Sequence, residues 1–335
     1  MIEKIPFIIA EMSGNHNQSL ERALAIVDAA ADAGVDAVKI QTYTADTMTI
    51  DIDTGEFFIS DKDSLWKGET LYHLYEKAHT PWEWHKAIFE RCKERGIMGF
   101  STPFDDTSVD FLEDLGVPCY KIASFENVDL PLIRKVARTG KPIIASTGMT
   151  SVAELSDLVQ TARENGCTDL TLLKCTSSYP ASPEGTNLRT IPHMRELFGC
   201  AVGLSDHTLG IGASVASVAL GATVIEKHFT LSRAEGGVDA AFSLEPAEMA
   251  QLVRECRPAA LALGAVSYER AEQEQKSLQF RRSLYVVEDM KAGDVFTEKN
   301  LRRIRPGMGL SPKYYDIILG KKANCNITRG TAVQW

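Results

Sequence analysis

The chain has 335 residues, 44% hydrophobic and 24% charged, which suits one large folded domain or a large one with a small companion. Its net charge of −9 argues against an extended nucleic-acid surface while leaving room for a local basic pocket that binds a small anion. No run of about 18 apolar residues is present, so no membrane span is expected.

Met1–Pro6 enters a strand at once and lacks a signal-peptide pattern. Apolar, β-rich runs then alternate with helical patterns. Strands are expected at 6–10, 37–40, 98–101, 119–122, 142–145, 170–173, 200–204 and 223–225. Helices are expected at 20–33, 81–95, 107–115, 130–138, 151–165, 191–198, 210–220 and 246–263. The polar stretch Thr42–Thr80 reads as a long functional loop. Eight strand–helix units in residues 1–264 predict an α/β fold, a (β/α)8 TIM barrel. The alternative is a doubly wound open sheet, which more often opens on G-x-G-x-x-G, absent here. Residues 265–282 read as a charged, Gln-rich linker, and 283–335 as a small β-rich domain. Seven scattered cysteines, odd in number and without a CxxC, read as reduced thiols in a cytoplasmic protein.

In a barrel, reactive groups gather at the carboxyl ends of the strands. Here those ends carry Glu11, Lys39, Gln41, Thr102, Lys121, Ser124, Glu126, Ser146, Tyr179, Ser205, His207 and His228. His207 and His228 are each expected just past a strand, on consecutive units. Two imidazoles in one crevice suit either a divalent metal or acid–base work; the plainer reading is two buried, hydrogen-bonded histidines. Lysines with hydroxyls suit a phosphate or carboxylate ligand, although a single Ser or Thr there is as readily a helix cap. Glu11 and Glu126 read as general acid or base, or as structural partners of Lys39 and Lys121.

The motifs Ile9-Ala10-Glu11, Asn15-His16-Asn17, Val38-Lys39-Ile40-Gln41-Thr42, Phe100-Ser101-Thr102-Pro103-Phe104, Tyr120-Lys121-Ile122-Ala123-Ser124, Ser146-Thr147-Gly148-Met149, Gly203-Leu204-Ser205-Asp206-His207-Thr208 and Glu226-Lys227-His228-Phe229-Thr230 resemble, in order, the nonulosonic (sialic) acid synthases. The C-terminal Ile304-Arg305-Pro306-Gly307 and Leu319-Gly320-Lys321-Lys322 resemble that family's antifreeze-like (SAF) domain.

The resemblance implies condensation of phosphoenolpyruvate with an amino-sugar aldehyde. It implies a divalent metal, Mn2+ with Mg2+ or Co2+ as alternatives, on His207 and His228, and a water oriented by Glu11. Phosphoenolpyruvate would meet Lys39, Thr102, Lys121, Ser124, Ser146 and Ser205. The sugar would meet Gln41, Glu126, Tyr179 and Asp239, with Arg305 reaching its N-acyl group from the partner of a domain-swapped homodimer. Ser177 departs from the Asn that many N-acetylneuraminate synthases carry after Cys-Thr. Glu235–Leu244 and Gly330–Trp335 look more like the pseudaminic-acid branch, whose sugar is 2,4-diacetamido-2,4,6-trideoxy-L-altrose; neuraminate and legionaminate synthases are the near alternatives. That sugar lacks a 6-hydroxyl, so an apolar pocket is expected, with Ala240, Ala241 and Phe242 as its lining.

Overall fold

A computed structural model describes residues 5–62 and 64–335. The stretch Met1–Lys4 lies outside the described residues. Eight parallel strands close into a barrel in chain order: β1 (Phe7–Glu11), β2 (Ala37–Thr42), β3 (Met98–Pro103), β4 (Tyr120–Ile122), β5 (Ile143–Ser146), β6 (Leu170–Cys175), β7 (Ala201–Asp206) and β8 (Val224–His228). β1 pairs with both β2 and β8, so Glu11 stands level with Lys39 on one side and His228 on the other.

The helices form because apolar residues recur every three or four positions between good caps. In α1 (Leu20–Asp32), Ser19 accepts from the Arg22 amide, and Ala23, Ile26, Val27 and Ala30 bury one face. The insertion after β2 holds two helices where a loop was expected, α2 (Ala45–Met48) and α3 (Leu71–Ala78), opened by the Thr44 and Thr70 side chains. The remaining barrel helices are α4 (His85–Glu94), α5 (Asp106–Leu115), α6 (Leu130–Ala137), α7 (Val152–Glu164), α8 (Thr190–Phe198), α9 (Gly212–Ala219) and α10 (Pro246–Leu263). A short 3-10 turn at Trp82–Trp84 precedes α4, which therefore starts four residues beyond Pro81.

Strand alternation sorts the side chains into two cores. Odd positions of β1 and their equivalents point inward: Ile9, Ala37, Phe100, Cys119, Ile144, Leu173 and Val224 pack as one cluster within the barrel. Their neighbours Ile8, Ala10, Val38, Ile40 and Ile225 pack outward under helices, as do Tyr120, Ile122, Leu172 and Leu204 elsewhere on the ring. Two residues beyond these positions, and beyond Gly203 of β7, lies the next inward layer: Glu11, Lys39, Thr102, Lys121, Ser146, Cys175, Ser205 and Glu226. A charged layer therefore caps the apolar plug at the carboxyl ends.

Contacts divide the chain into two compact units, one ending at Gly264 and the other spanning Ala265–Trp335. The second unit has its own core of Leu284, Val286, Met290, Phe296, Leu301, Ile318, Ala323 and Val333. It contains an antiparallel pair, β9 (Ser283–Val286) with β10 (Leu301–Ile304).

Candidate active site

One cavity of about 510 Å3 opens at the carboxyl ends of the strands. Among its lining residues are Glu11, Lys39, Gln41, Lys121, Ser124, Glu126, Ser146, Tyr179, Ser205, His207, His228 and Asp239. Thr102 is buried behind Lys39 and accepts its Nζ at 3.1 Å. Of the residues singled out from sequence, Arg305 alone lies in the second unit, exposed, on the segment after β10.

The two lysines are already paired. Lys39 Nζ lies 2.5 Å from Glu11 Oε2 and 3.9 Å from Glu226 Oε2. Lys121 Nζ donates to Ser146 Oγ at 2.8 Å and lies 3.2 Å from Glu226 Oε1, which also accepts from Ser205 Oγ at 3.0 Å. Glu11 thus has the structural partner foreseen for it, whereas Glu126 has neither lysine, and one of its oxygens is buried without a hydrogen-bond partner. Burial opposes charge on Lys39, but Glu11 and Glu226 outweigh it and hold its pKa above the usual value. On Lys121 burial prevails over the Glu226 attraction, and the pKa falls. Glu226 feels the same burial, yet Lys121 and Lys39 draw it well below the ordinary range and keep it ionised. Burial pushes Glu126 up to about 7 and Asp239 up to about 6.

The imidazole centroids of His207 and His228 are 5.3 Å apart. His228 is the last residue of β8 rather than beyond its end, because the strand pairing continues past the apolar run. His207 Nδ1 stands 2.9 Å from the Thr176 carbonyl oxygen, which can only accept, so Nδ1 carries the proton and Nε2 keeps its lone pair. Ser13 Oγ donates to Glu11 Oε1 at 2.7 Å, accepts from Gln41 Nε2 at 3.1 Å, and stands 3.3 Å from His228 Nδ1. Its proton is committed to Glu11, so His228 Nδ1 is the donor and Nε2 is again free. Burial first, then His207 and the lysines, hold His228 neutral, while at His207 the Cys175 thiol and the Thr176 carbonyl outweigh burial and raise the pKa. Among the described residues no cluster of three or more His, Cys, Asp or Glu side chains forms a ready-made metal cage. The Nε2 atoms of His207 and His228, two residues that line one cavity, nonetheless make a donor pair of the kind that suits a divalent ion.

Glu226, Ser13 and Cys175 are absent from the site residues expected from sequence. A period-2 count from the inward Val224 and Leu173 finds Glu226 and Cys175; Ser13, on the turn after β1, has no such signal. The apolar lining is also relocated. Phe242 packs on the His228 ring at 4.8 Å, Ala240 is buried, and Ala241 is exposed; none of the three lines the cavity. Met48, Ile59, Leu71, Leu74, Tyr75 and Ala78, all from the insertion after β2, form its apolar wall instead. Ser177 is likewise absent from the lining, but with Ser124 it flanks Gly148, where any Cβ would overlap both hydroxyls.

A closed parallel barrel with buried lysines, hydroxyls and imidazoles at its strand ends defines a barrel enzyme acting on a small anion. A model of the NeuB family matches residues 26–268, and a SAF domain model matches residues 281–335. The chain belongs to the NeuB family. It is 46% identical over 332 residues to the pseudaminic acid synthase of Campylobacter jejuni subsp. jejuni serotype O:2, covering 99% of this chain and 96% of that one. Against the pseudaminic acid synthase of Helicobacter pylori it is 43% identical over 323 residues, covering 95% and 94%. The crystal structure of an N-acetylneuraminic acid synthetase from Leptospira borgpetersenii superposes with a TM-score of 0.72 at 33% identity, covering 82% of this chain and 91% of that one.

Proposed function

We propose that this chain acts as a pseudaminic acid synthase. It condenses phosphoenolpyruvate with 2,4-diacetamido-2,4,6-trideoxy-L-altrose and water, giving pseudaminic acid and phosphate. The observation that carries this reading is the single cavity in which His207 and His228 stand beside Lys39 and Lys121, within a chain so close to the synthases named above.

Lys39 and Lys121 take the phosphate and carboxylate of phosphoenolpyruvate, helped by the hydroxyls of Ser124, Ser146 and Ser205, while Thr102 holds Lys39 from behind. Binding exchanges part of their pairing with Glu11 and Glu226 for the ligand's charge. Gln41, Tyr179 and Asp239 orient the open-chain sugar so that its C1 faces C3 of the alkene; such positioning contributes several kcal/mol. The bond from C3 to C1 forms at the expense of the alkene π pair, and water held by Glu11 adds at the cationic C2 and gives one proton to Glu11. The tetrahedral C2 collapses to a ketone as its C2–O bond breaks, the remaining hydroxyl proton leaving with phosphate. Glu126, raised by burial to about 7 and so about half protonated at neutral pH, donates its proton to the aldehyde oxygen as that becomes a hydroxyl, and the proton that Glu11 took from water returns to it before the next turnover. A divalent ion on the Nε2 atoms of His207 and His228, Mn2+ or else Mg2+ or Co2+, would supply Lewis-acid polarisation of that aldehyde.

Arg305 meets the sugar's N-acyl group by exchange of the C-terminal unit in a homodimer. Seven unpaired cysteines support a reducing, cytoplasmic setting; among the described residues no helix is long and apolar enough to cross a membrane.

The test is phosphate release across a panel of 2-acetamido and 2,4-diacetamido hexoses, in solvent enriched with 18O. Turnover is expected to be highest with the 2,4-diacetamido-6-deoxy sugar, to stop with chelator and return with Mn2+, and to yield unlabelled phosphate. Preference for N-acetylmannosamine would move the chain to the neuraminate or legionaminate branch, and labelled phosphate would reject C–O cleavage.

A further inference from the structure

Helix α3 has an apolar face that no hydrophobic core covers. Leu71, Leu74, Tyr75 and Ala78 recur at i, i+3, i+4 and i+7, the spacing of one helix face. None of them belongs to a hydrophobic cluster of the barrel. All four line the cavity instead, with Met48 and Ile59 of the same insertion.

This wall is held in place from three sides. Thr42, before the insertion, has its Oγ1 2.8 Å from His85 Nε2, and Thr80, after it, has its Oγ1 3.4 Å from His16 Nε2. In the middle, Trp66 Nε1 donates to the Val238 carbonyl at 3.0 Å. Ala78 and Val238 both close on Gly14, where a Cβ would stand 3.2 Å from each. A fixed apolar surface facing a cavity whose other groups are charged or hydrogen-bonding selects for a ligand with an alkyl part. The insertion also lines the cavity with Asp61 and Ser64, but a sugar hydroxyl pressed against Leu71, Leu74 or Ala78 loses its water and gains no partner from those side chains.

We propose that the α3 face is the specificity wall of the sugar site: it takes the 6-deoxy carbon of the acceptor and discriminates against the same sugar bearing a 6-hydroxyl. The inference rests on the function proposed above and assigns its substrate preference to residues far in sequence from Ala240–Phe242.

The test compares kcat/KM for 2,4-diacetamido-2,4,6-trideoxy-L-altrose and its 6-hydroxy analogue in wild type, Leu71→Ser, Leu74→Ser and Leu74→Met. Wild type is expected to prefer the 6-deoxy sugar by roughly 10- to 100-fold, the range an apolar pocket achieves against an added hydroxyl. Each Ser variant is expected to cut that ratio about 10-fold through the sugar KM, with the phosphoenolpyruvate KM and thermal midpoint unchanged; Leu74→Met is expected to retain it. An unchanged ratio in both Ser variants, an equal loss for both sugars, or a wild type without preference would overturn the proposal. If wild type releases phosphate with no sugar of either kind, the function reading fails and this inference fails with it; an active wild type with an unmoved ratio sinks the inference alone.

Discussion

Glu226 sits where the charge of a bound anion is needed. It bridges two ammonium groups at the floor of the cavity and keeps both lysines in place before any ligand arrives. Removing one partner of such a buried set costs more than the set contributes, because the remaining charge stays desolvated. Lys121→Met is therefore expected to lower the unfolding free energy by about 2–3 kcal/mol, less than a full orphaning because Lys39 and Ser205 remain near Glu226. Adding Glu226→Gln is expected to restore at least half of that while turnover stays lost. Urea unfolding of the two single variants and the double variant gives the coupling directly, and strict additivity would contradict it. Glu126 presents the opposite case, a carboxyl whose burial outweighs the attraction of Lys121 and Lys39. Its folded pKa, raised to about 7 from 4.5, means that the folded state binds the proton more tightly than the unfolded chain. Its contribution is thus fully present below about pH 4.5 and fades as pH rises to 7. Glu126→Gln in ligand-free protein is expected to stabilise by up to about 3 kcal/mol at pH 8 and by less than about 1 kcal/mol at pH 5. A gain equal at both pH values would place the effect elsewhere.

At the scale of elements, the barrel strands could be found from sequence because their lower portions are apolar on both faces: inward into the plug, outward under the helices. Their upper ends could not. β7 runs on to Asp206 and β8 to His228, since the hydrogen-bond ladder continues after hydrophobicity stops. There the inward Glu226 and His228 alternate with the outward Lys227, whose Nζ lies 2.9 Å from Asp206 in a fully buried pair. Charge within a strand is tolerated because each charge meets a partner from another strand, Asp206 of adjoining β7 for Lys227 and, from β2 and β4, Lys39 and Lys121 for Glu226, information that a linear reading lacks. The insertion after β2 failed for a different reason. Its helices are too short and too polar on one side to stand out, and the apolar face of α3 is answered by a cavity rather than a core. Trp66 ties that insertion to the segment after β8, so Trp66→Phe keeps the ring beside Tyr179 and removes only the donor to Val238. One hydrogen bond of about 1 kcal/mol predicts a rise of roughly fivefold in the sugar KM. The KM for phosphoenolpyruvate, which is held at the strand ends, is expected not to move; a shift in both would mean that the insertion shapes the whole site.

At the scale of the molecule, each unit carries its own hydrophobic core, yet the chemistry proposed for the sugar needs both. The barrel supplies the lysines and imidazoles, while Arg305 belongs to the C-terminal unit. In the proposed exchanged homodimer, every site combines the barrel of one subunit with Arg305 of the other. Two inactive variants, Lys121→Met and Arg305→Ala, then make an informative mixture. In a mixed dimer with exchange, the barrel of the Arg305→Ala subunit keeps its Lys121 and receives an intact Arg305, so one of its two sites is complete. The other site has neither. Random pairing makes half of the dimers mixed, so co-expression is expected to restore about a quarter of wild-type turnover per subunit. Without exchange, each site uses the Arg305 of its own chain, both sites of a mixed dimer are broken, and co-expression restores nothing. Activity measured across a series of mixing ratios distinguishes the two: exchange predicts a maximum at equal amounts and zero at either end, a flat line at background would assign Arg305 to its own barrel, and an active Arg305→Ala variant alone would assign it to no site.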